Sequence, residues 1–276
     1  MTHLKQPKIW KIGGEREILL DRTCIMGILN VTPDSFSDGG HYSDARSAVS
    51  RAYEMVSQGA DIIDVGGQST RPGHTPIPPD EEWNRIEPVL RELCGDRNLI
   101  ISVDTYYPEV ALRAMECGVQ IINDVTGFKD PLMRKYAAIH RVGCVIMHNI
   151  PLDEEADVCS ALVDFFTSRT EECLHDGIEW ERICLDPGVG FGKSYEQNLA
   201  IAKNFGSLCL ENYPMLAAAS RKRVIGMSCG NPPADRRMPG TVAYHTACIL
   251  GGANLIRVHD IAESVQAARV TDAIIR

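Results

Sequence analysis

The most constraining feature of this 276-residue chain is a pattern that recurs eight times. A short run of apolar, often β-branched residues stops abruptly at a polar one, and a helical stretch follows. Cys24–Leu29 stops at Asn30, Ile62–Ile63 at Asp64, Ile100–Val103 at Asp104, and Ile121–Ile122 at Asn123 and Asp124. Cys144–Met147 stops at His148, Ile183–Leu185 at Asp186, Met215–Ala219 at Ser220, and Leu255–Ile256 at Arg257, with His259 just beyond. Apolar runs of this kind suit strands buried on both faces. The segments 45–58, 108–117, 161–175, 197–205, 240–251 and 261–275 carry helical spacing; in the first, Ala48, Ala52, Met55 and Val56 share a face. A strand every 20 to 40 residues, roughly, is what βα units require. Eight units predict an α/β chain closed into a TIM (β/α)8 barrel rather than an open sheet. Residues 1–22 read as a short N-terminal extension, a hairpin across the barrel bottom, and 23–276 as a single barrel domain.

Charge narrows the function classes. With 28 Lys and Arg against 37 Asp and Glu, the net charge of −9 argues against a general nucleic-acid or membrane-surface binder. It leaves room for a local cationic pocket. No apolar run is long enough to span a bilayer, which takes about 18 residues or more. The start, MTHLKQPKIWKIGGEREILLDR, has no apolar core of a secretory signal. Ten cysteines, none spaced as CxxC and most in apolar surroundings, read as buried thiols in a reducing cytosol, so the expected location is cytoplasmic.

A barrel of this kind carries its chemistry where the strands end. Asn30, Asp64, Asp104, Asn123, His148, Asp186, Ser220, Arg257 and His259 are then expected on one rim. Capping of the following helix explains any single one of them, but not all eight strands at once. The loop after Asn30 is long and polar, with Phe36 near its middle and Gly39-Gly40 at its end, which suits a lid. Gly66-Gly67-Gln68-Ser69-Thr70-Arg71-Pro72-Gly73 offers bare amides, two hydroxyls and a guanidinium, which is anion-handling chemistry without P-loop spacing. Ser220-Arg221-Lys222 is expected to open a helix whose N-terminus holds a carboxylate or phosphate.

Taken in order, MGILNVTPDSFSDGG, DIIDVGGQSTRPG, SVDT, IINDV, VIMH, LDPGVGFGKS, SRK and LIRVHD resemble the dihydropteroate synthase family over residues from about 24 to 270. The resemblance implies a pterin-binding barrel, a homodimer using Mg²⁺, and the target of sulfonamides. The implied reaction joins 4-aminobenzoate to (7,8-dihydropterin-6-yl)methyl diphosphate, releasing diphosphate through an SN1-like pterin-methyl cation. Lys222, Asp104, Arg257, Asp38 and Arg71 are the implied catalytic residues. Asp104, Asn123, Asp186 and Lys222 would hold the pterin between Met147 and Phe191. Thr70, Arg257 and His259 would cradle the diphosphate, with Asn30 reaching it through Mg²⁺. Phe36, Pro72 and Ser220 would form the 4-aminobenzoate pocket. The implied partners are these small molecules and a second copy of the chain, not nucleic acid or membrane.

Departures from the family pattern are Lys222-Arg223-Val224-Ile225-Gly226, where Ser-Phe is often found, the short acidic stretch 149–157 after His148, and two single residues. Gln68 occupies a position that is usually Glu, and Ala218 one where Gly is usual. A folate-dependent methyltransferase barrel would share the pterin pocket but would not need the STRPG loop. A pterin-binding relative without turnover would not need intact Asn30, Asp38, Arg71, Lys222 and Arg257.

Overall fold

A computed structural model describes residues 9–32, 40–68 and 75–275. Two strands, β1 (Ile9–Ile12) and β2 (Arg16–Leu19), pair antiparallel. Then β3 (Cys24–Asn30), β4 (Ile62–Gly66), β5 (Ile101–Asp104), β6 (Ile121–Asp124), β7 (Gly143–Met147), β8 (Ile183–Asp186), β9 (Leu216–Ala217) and β10 (Leu255–Val258) form one parallel sheet. Its order is β8-β7-β6-β5-β4-β3-β10-β9. The seam between β8 and β9 closes through a parallel bridge, Leu185 to Met215, with Leu185 N donating to Pro214 O at 2.9 Å. The expected eight-stranded barrel is therefore what the described residues build.

Helices α1 (Gly40–Gln58), α2 (Pro79–Leu93), α3 (Pro108–Glu116), α4 (Pro131–His140), α5 (Val158–His175), α6 (Tyr195–Lys203), α7 (Arg223–Ser228), α8 (Met238–Leu250) and α9 (Ile261–Ile275) follow the strands. Proline in the first turn opens α2, α3, α4 and α8, where its missing N–H costs nothing. Ser194 and Gln197 make a reciprocal capping box at the start of α6.

Side chains alternate along each strand. Ile25, Ile63, Val103, Ile122, Ile146 and Ile256 point outward and pack under the helices. Cys24, Met26, Ile62, Ile121, Val145, Cys184, Leu216 and Leu255 point inward near the bottom. The β1–β2 hairpin seals that end with Trp10 and Ile12, both fully buried. Burying a side chain of this size contributes roughly 1.5–3 kcal/mol. Arg182 ties the hairpin down: Trp10 Nε1 donates to its carbonyl at 2.9 Å, and its Nη1 donates to Ile12 O at 2.8 Å.

Higher in the barrel the inward positions turn polar, and this produces the abrupt stop seen in the sequence. Asp64 and Arg257 prove to lie inside β4 and β10 rather than beyond their ends. Strand β9 is shorter than the apolar run 215–219 suggests. The N–H of Ala219 donates to His245 Nε2 at 3.0 Å, so the chain leaves the sheet ladder there.

Candidate active site

The mouth is organised by Asp64, which is fully buried. Its Oδ1 accepts from Ser102 Oγ at 2.5 Å. Its Oδ2 accepts from Asn123 Nδ2 at 3.0 Å and from Arg257 Nε at 2.6 Å. Arg257 Nη2 then donates to Asp104 Oδ2, also at 2.6 Å. Three strands are thus joined by one guanidinium shared between two carboxylates, and Asn123 brings in β6 as a fourth. Burial works against the charge on Arg257, but Asp64 and Asp104 hold the proton on and the net shift is upward. Burial pushes the Asp104 carboxyl up, against the pull of Arg257. Its Oδ1 is buried and has no hydrogen-bond partner among the described residues.

Across the mouth, Asp186 Oδ1 accepts from Gly188 N at 2.7 Å. Burial raises the Asp186 carboxyl, and Lys222 opposes the rise. Lys222 Nζ donates to Val189 O at 2.6 Å and lies 4.6 Å from the centre of the Phe191 ring, a cation–π distance. Burial lowers the Lys222 ammonium to about 8, with Asp186 working in the opposite direction. Met147, buried, ends β7 beside Asp186 in the β7–β8 register. Asn30 and Asp104 flank Gly66: a methyl group there would lie 3.6 Å from Asp104 Cβ and 3.8 Å from Asn30 Oδ1.

The Ser220 expectation is corrected. Helix α7 starts only at Arg223, with Lys222 as its N-cap, so Ser220 is not at a helix N-terminus. It is buried, and its Oγ lies 2.9 Å from His259 Nδ1 while accepting from His259 N at 3.2 Å. The reason is the turn between strand and helix. Arg221 adopts a left-handed φ of 58°, Arg221 N donates to Thr241 Oγ1 at 3.0 Å, and its side chain pairs with Asp260. Ala218 is buried just beyond β9.

Asp104, Asn123, Arg257, Asp186, Lys222, Phe191, Met147 and Asn30 are therefore all carried on the barrel's upper end, as are Ser220 and His259. Phe36, Asp38, Thr70, Arg71 and Pro72 lie outside the described residues. Sequence reasoning passed over Glu82 and left Lys193 without a role. Glu82 is fully buried on α2; its Oε2 accepts from Gln68 Nε2 at 2.8 Å and from Thr105 Oγ1 at 3.2 Å. An acidic run in the first turn of α2, Asp80-Glu81-Glu82, was the only sequence signal, and it reads equally well as a favourable helix dipole.

The arrangement offers acceptors to a flat, donor-rich ring on two sides and cationic groups between them. Comparison with known proteins agrees. The pattern of the pterin binding enzyme family matches residues 26–259. A dihydropteroate synthase of Clostridium beijerinckii is 43% identical over 272 residues, covering 96% of this chain and 99% of that one. A crystal structure of dihydropteroate synthase from Clostridium difficile, in the presence of pteroic acid, superposes with a TM-score of 0.89 at 44% identity, covering 92% and 97% of the two chains. The Xanthomonas albilineans dihydropteroate synthase with 4-aminobenzoic acid gives 0.90 at 40% identity, covering 96% and 98%. On its barrel, its rim and these matches, the chain belongs to the pterin-binding enzyme family and, within it, to the dihydropteroate synthases.

Proposed function

We propose that this mouth condenses 4-aminobenzoate with (7,8-dihydropterin-6-yl)methyl diphosphate to give 7,8-dihydropteroate and diphosphate. The observation that carries the reading is the placing of Asp104 and Asp186. Both are buried carboxylates that end strands β5 and β8 of the barrel, and Asp104 Oδ1 has no hydrogen-bond partner among the described residues. A pterin edge supplies N–H groups that an apolar or anionic ligand cannot, and an unmatched buried acceptor costs about 1–3 kcal/mol.

The reaction is dissociative. The bond between the pterin methylene carbon and the diphosphate oxygen breaks, and the electron pair leaves with diphosphate. The amine nitrogen of 4-aminobenzoate attacks the methylene carbon and then releases a proton to water. Asp104 and Asp186 stabilise the transient pterin-methyl cation. Lys222 donates to the pterin carbonyl and ring nitrogen, and the Phe191 ring and Met147 wall the ring in. Arg257, His259 and Thr70 hold the departing diphosphate. Asp38, Arg71, Phe36 and Pro72, which lie outside the described residues, would by the family resemblance serve the second substrate together with Ser220. Such catalysis is mostly electrostatic stabilisation and positioning.

Mg²⁺ fits this donor set as an ion arriving on the diphosphate. The mouth offers it Asn30 Oδ1, and no group of three His, Cys, Asp or Glu side chains suited to a metal occurs among the described residues. A hard cation held by one amide oxygen, phosphate oxygens and water is ordinary for magnesium. When bound, it supplies positive charge to the leaving group. Sulfonamides, which share the arylamine shape, would compete for the 4-aminobenzoate pocket. A homodimer in the cytoplasm completes the reading; no helix among the described residues is long and apolar enough to cross a membrane.

The test is diphosphate release on mixing the purified protein, Mg²⁺ and both substrates. Release that requires 4-aminobenzoate supports the synthase. Pterin binding without release would make the chain a pterin-binding relative, and methyl transfer from a folate would make it a methyltransferase.

A further inference from the structure

We propose that Lys193 is a positioning residue for the pterin site, holding the β8–α6 loop so that Asp186, Phe191 and Lys222 keep their places. The inference rests on the pterin reading of the mouth. Lys193 ends the glycine-rich run that follows β8, and its ammonium faces away from solvent into a nest of acceptors. Nζ lies 2.9 Å from Phe191 O, 2.9 Å from His148 Nδ1, 3.1 Å from Gly188 O and 3.2 Å from His148 O. With Lys193 as an ammonium, which has three N–H donors and no acceptor, His148 Nδ1 accepts through its lone pair and the ring is neutral. Burial, followed by the charge of Lys193, pushes the His148 ring down to about 4, which agrees.

Each acceptor belongs to a segment that touches the site. The His148 backbone continues β7 and donates its N–H to Asp186 O at 3.0 Å. Gly188 N is the donor to the Asp186 carboxylate. Val189, between the two clamped carbonyls, and Phe191, which carries one of them, are the groups that receive Lys222. The loop is thus gripped from behind by Lys193 and from the mouth by Lys222. Glycine at 188 is required for this grip: it has φ 65°, and a side chain there would overlap the His148 carbonyl.

The groups that face Lys193 electrostatically are Asp186 on β8, Lys222 beyond β9 and His148 beyond β7. Burial lowers its ammonium to about 7. A lysine kept only as filler would be better replaced by methionine, because its desolvated charge gains nothing from packing.

Lys193→Met tests this against a purely structural role. The expected result is a folded protein whose KM for the pterin diphosphate rises about 10- to 100-fold while KM for 4-aminobenzoate stays within about twofold. Lys193→Gln, which keeps one pair of donors, should fall between the two. Calorimetry with a pterin alone should show the same loss of affinity. Unchanged pterin KM and affinity in folded Lys193→Met overturn the proposal, as does a rise in both KM values in step with a lower melting temperature. If the methionine variant does not fold, Lys193→Gln and His148→Asn are judged by the same criteria. A wild-type protein that releases no diphosphate overturns the synthase reading instead, and pterin calorimetry still decides the role of Lys193.

Discussion

Asp104 gives Oδ2 to Arg257 at 2.6 Å and keeps Oδ1 buried without a partner among the described residues. A carboxylate so held is a half-satisfied acceptor, oriented in advance for a donor from the ligand. Asp104→Asn keeps the shape but turns one oxygen into an N–H donor, which must face either Arg257 or the ligand. Pterin affinity should fall by about 10- to 100-fold, on the scale of 1–3 kcal/mol for one mismatched group. Calorimetric titration with a pterin measures it, and an affinity within twofold of wild type removes Asp104 from the pocket.

Arg257 has a structural duty besides its proposed contact with the diphosphate. Its one guanidinium pairs with Asp64 and Asp104 at once. Arg257→Ala would leave two buried carboxylates facing each other, and breaking such a network costs about 3–5 kcal/mol. Urea denaturation should find a loss of that size together with weaker binding of the diphosphate substrate. A stability change below about 1 kcal/mol would mean that the network is solvated rather than buried.

Lys222 should impose an alkaline limb on activity. With its ammonium lowered to about 8, it loses its proton as pH rises through that value, and with the proton goes the charge proposed to act on the pterin. Turnover per pterin bound should therefore decline above about pH 8. Lys222→Arg retains its charge at high pH and should abolish the limb while keeping part of the rate. Lys222→Ala should lower kcat/KM by a factor on the order of 10²–10³, the usual loss for one electrostatic donor, in a chain that still folds. Undiminished diphosphate release from that variant would strike Lys222 from the mechanism.

Gln68 faces a buried carboxylate, and this bears on its departure from the usual Glu. Burial chiefly, and then Asp104, raise Glu82 to about 7 from an ordinary 4.5. A carboxyl raised on folding contributes its full stability below the unfolded value and loses it as pH rises through the folded one. Stability from this group should therefore decline between about pH 4.5 and 7. Gln68→Glu would set a second carboxylate where the amide now donates at 2.8 Å, and the two would have to share a proton. Melts at acidic and alkaline pH should coincide with wild type at about pH 5 and fall behind it by about 1–3 kcal/mol at pH 8. Parallel melting curves across that range would show that Glu82 is not buried as described.

Much of this was legible without coordinates. The alternation of apolar run and amphipathic helix is a local signal, because burial on both faces of a strand and on one face of a helix leaves its own period in the residues. Strand β3 and helix α9 follow it closely, and the rim residues follow from the same alternation. The run Ser220-Arg221-Lys222 reads as a helix start, but the helix begins only at Arg223. Whether a hydroxyl caps a helix depends on the turn before it, and here Arg221 takes the left-handed conformation and delays the helix.

What the residue order determined by itself was the fold class, the number and order of the strands and the chemical types available near their ends, since these depend on neighbours a few positions apart. What only the tertiary structure decided was who pairs with whom. Arg257 meets Asp64 across 193 positions of sequence because β10 closes against β3 and β4 lies next in the sheet. Lys193 meets His148 across 45 because β7 and β8 are adjacent. A lysine or an aspartate carries no mark of its distant partner; burial and the geometry of closure select it, and with it the charge state on which the chemistry depends.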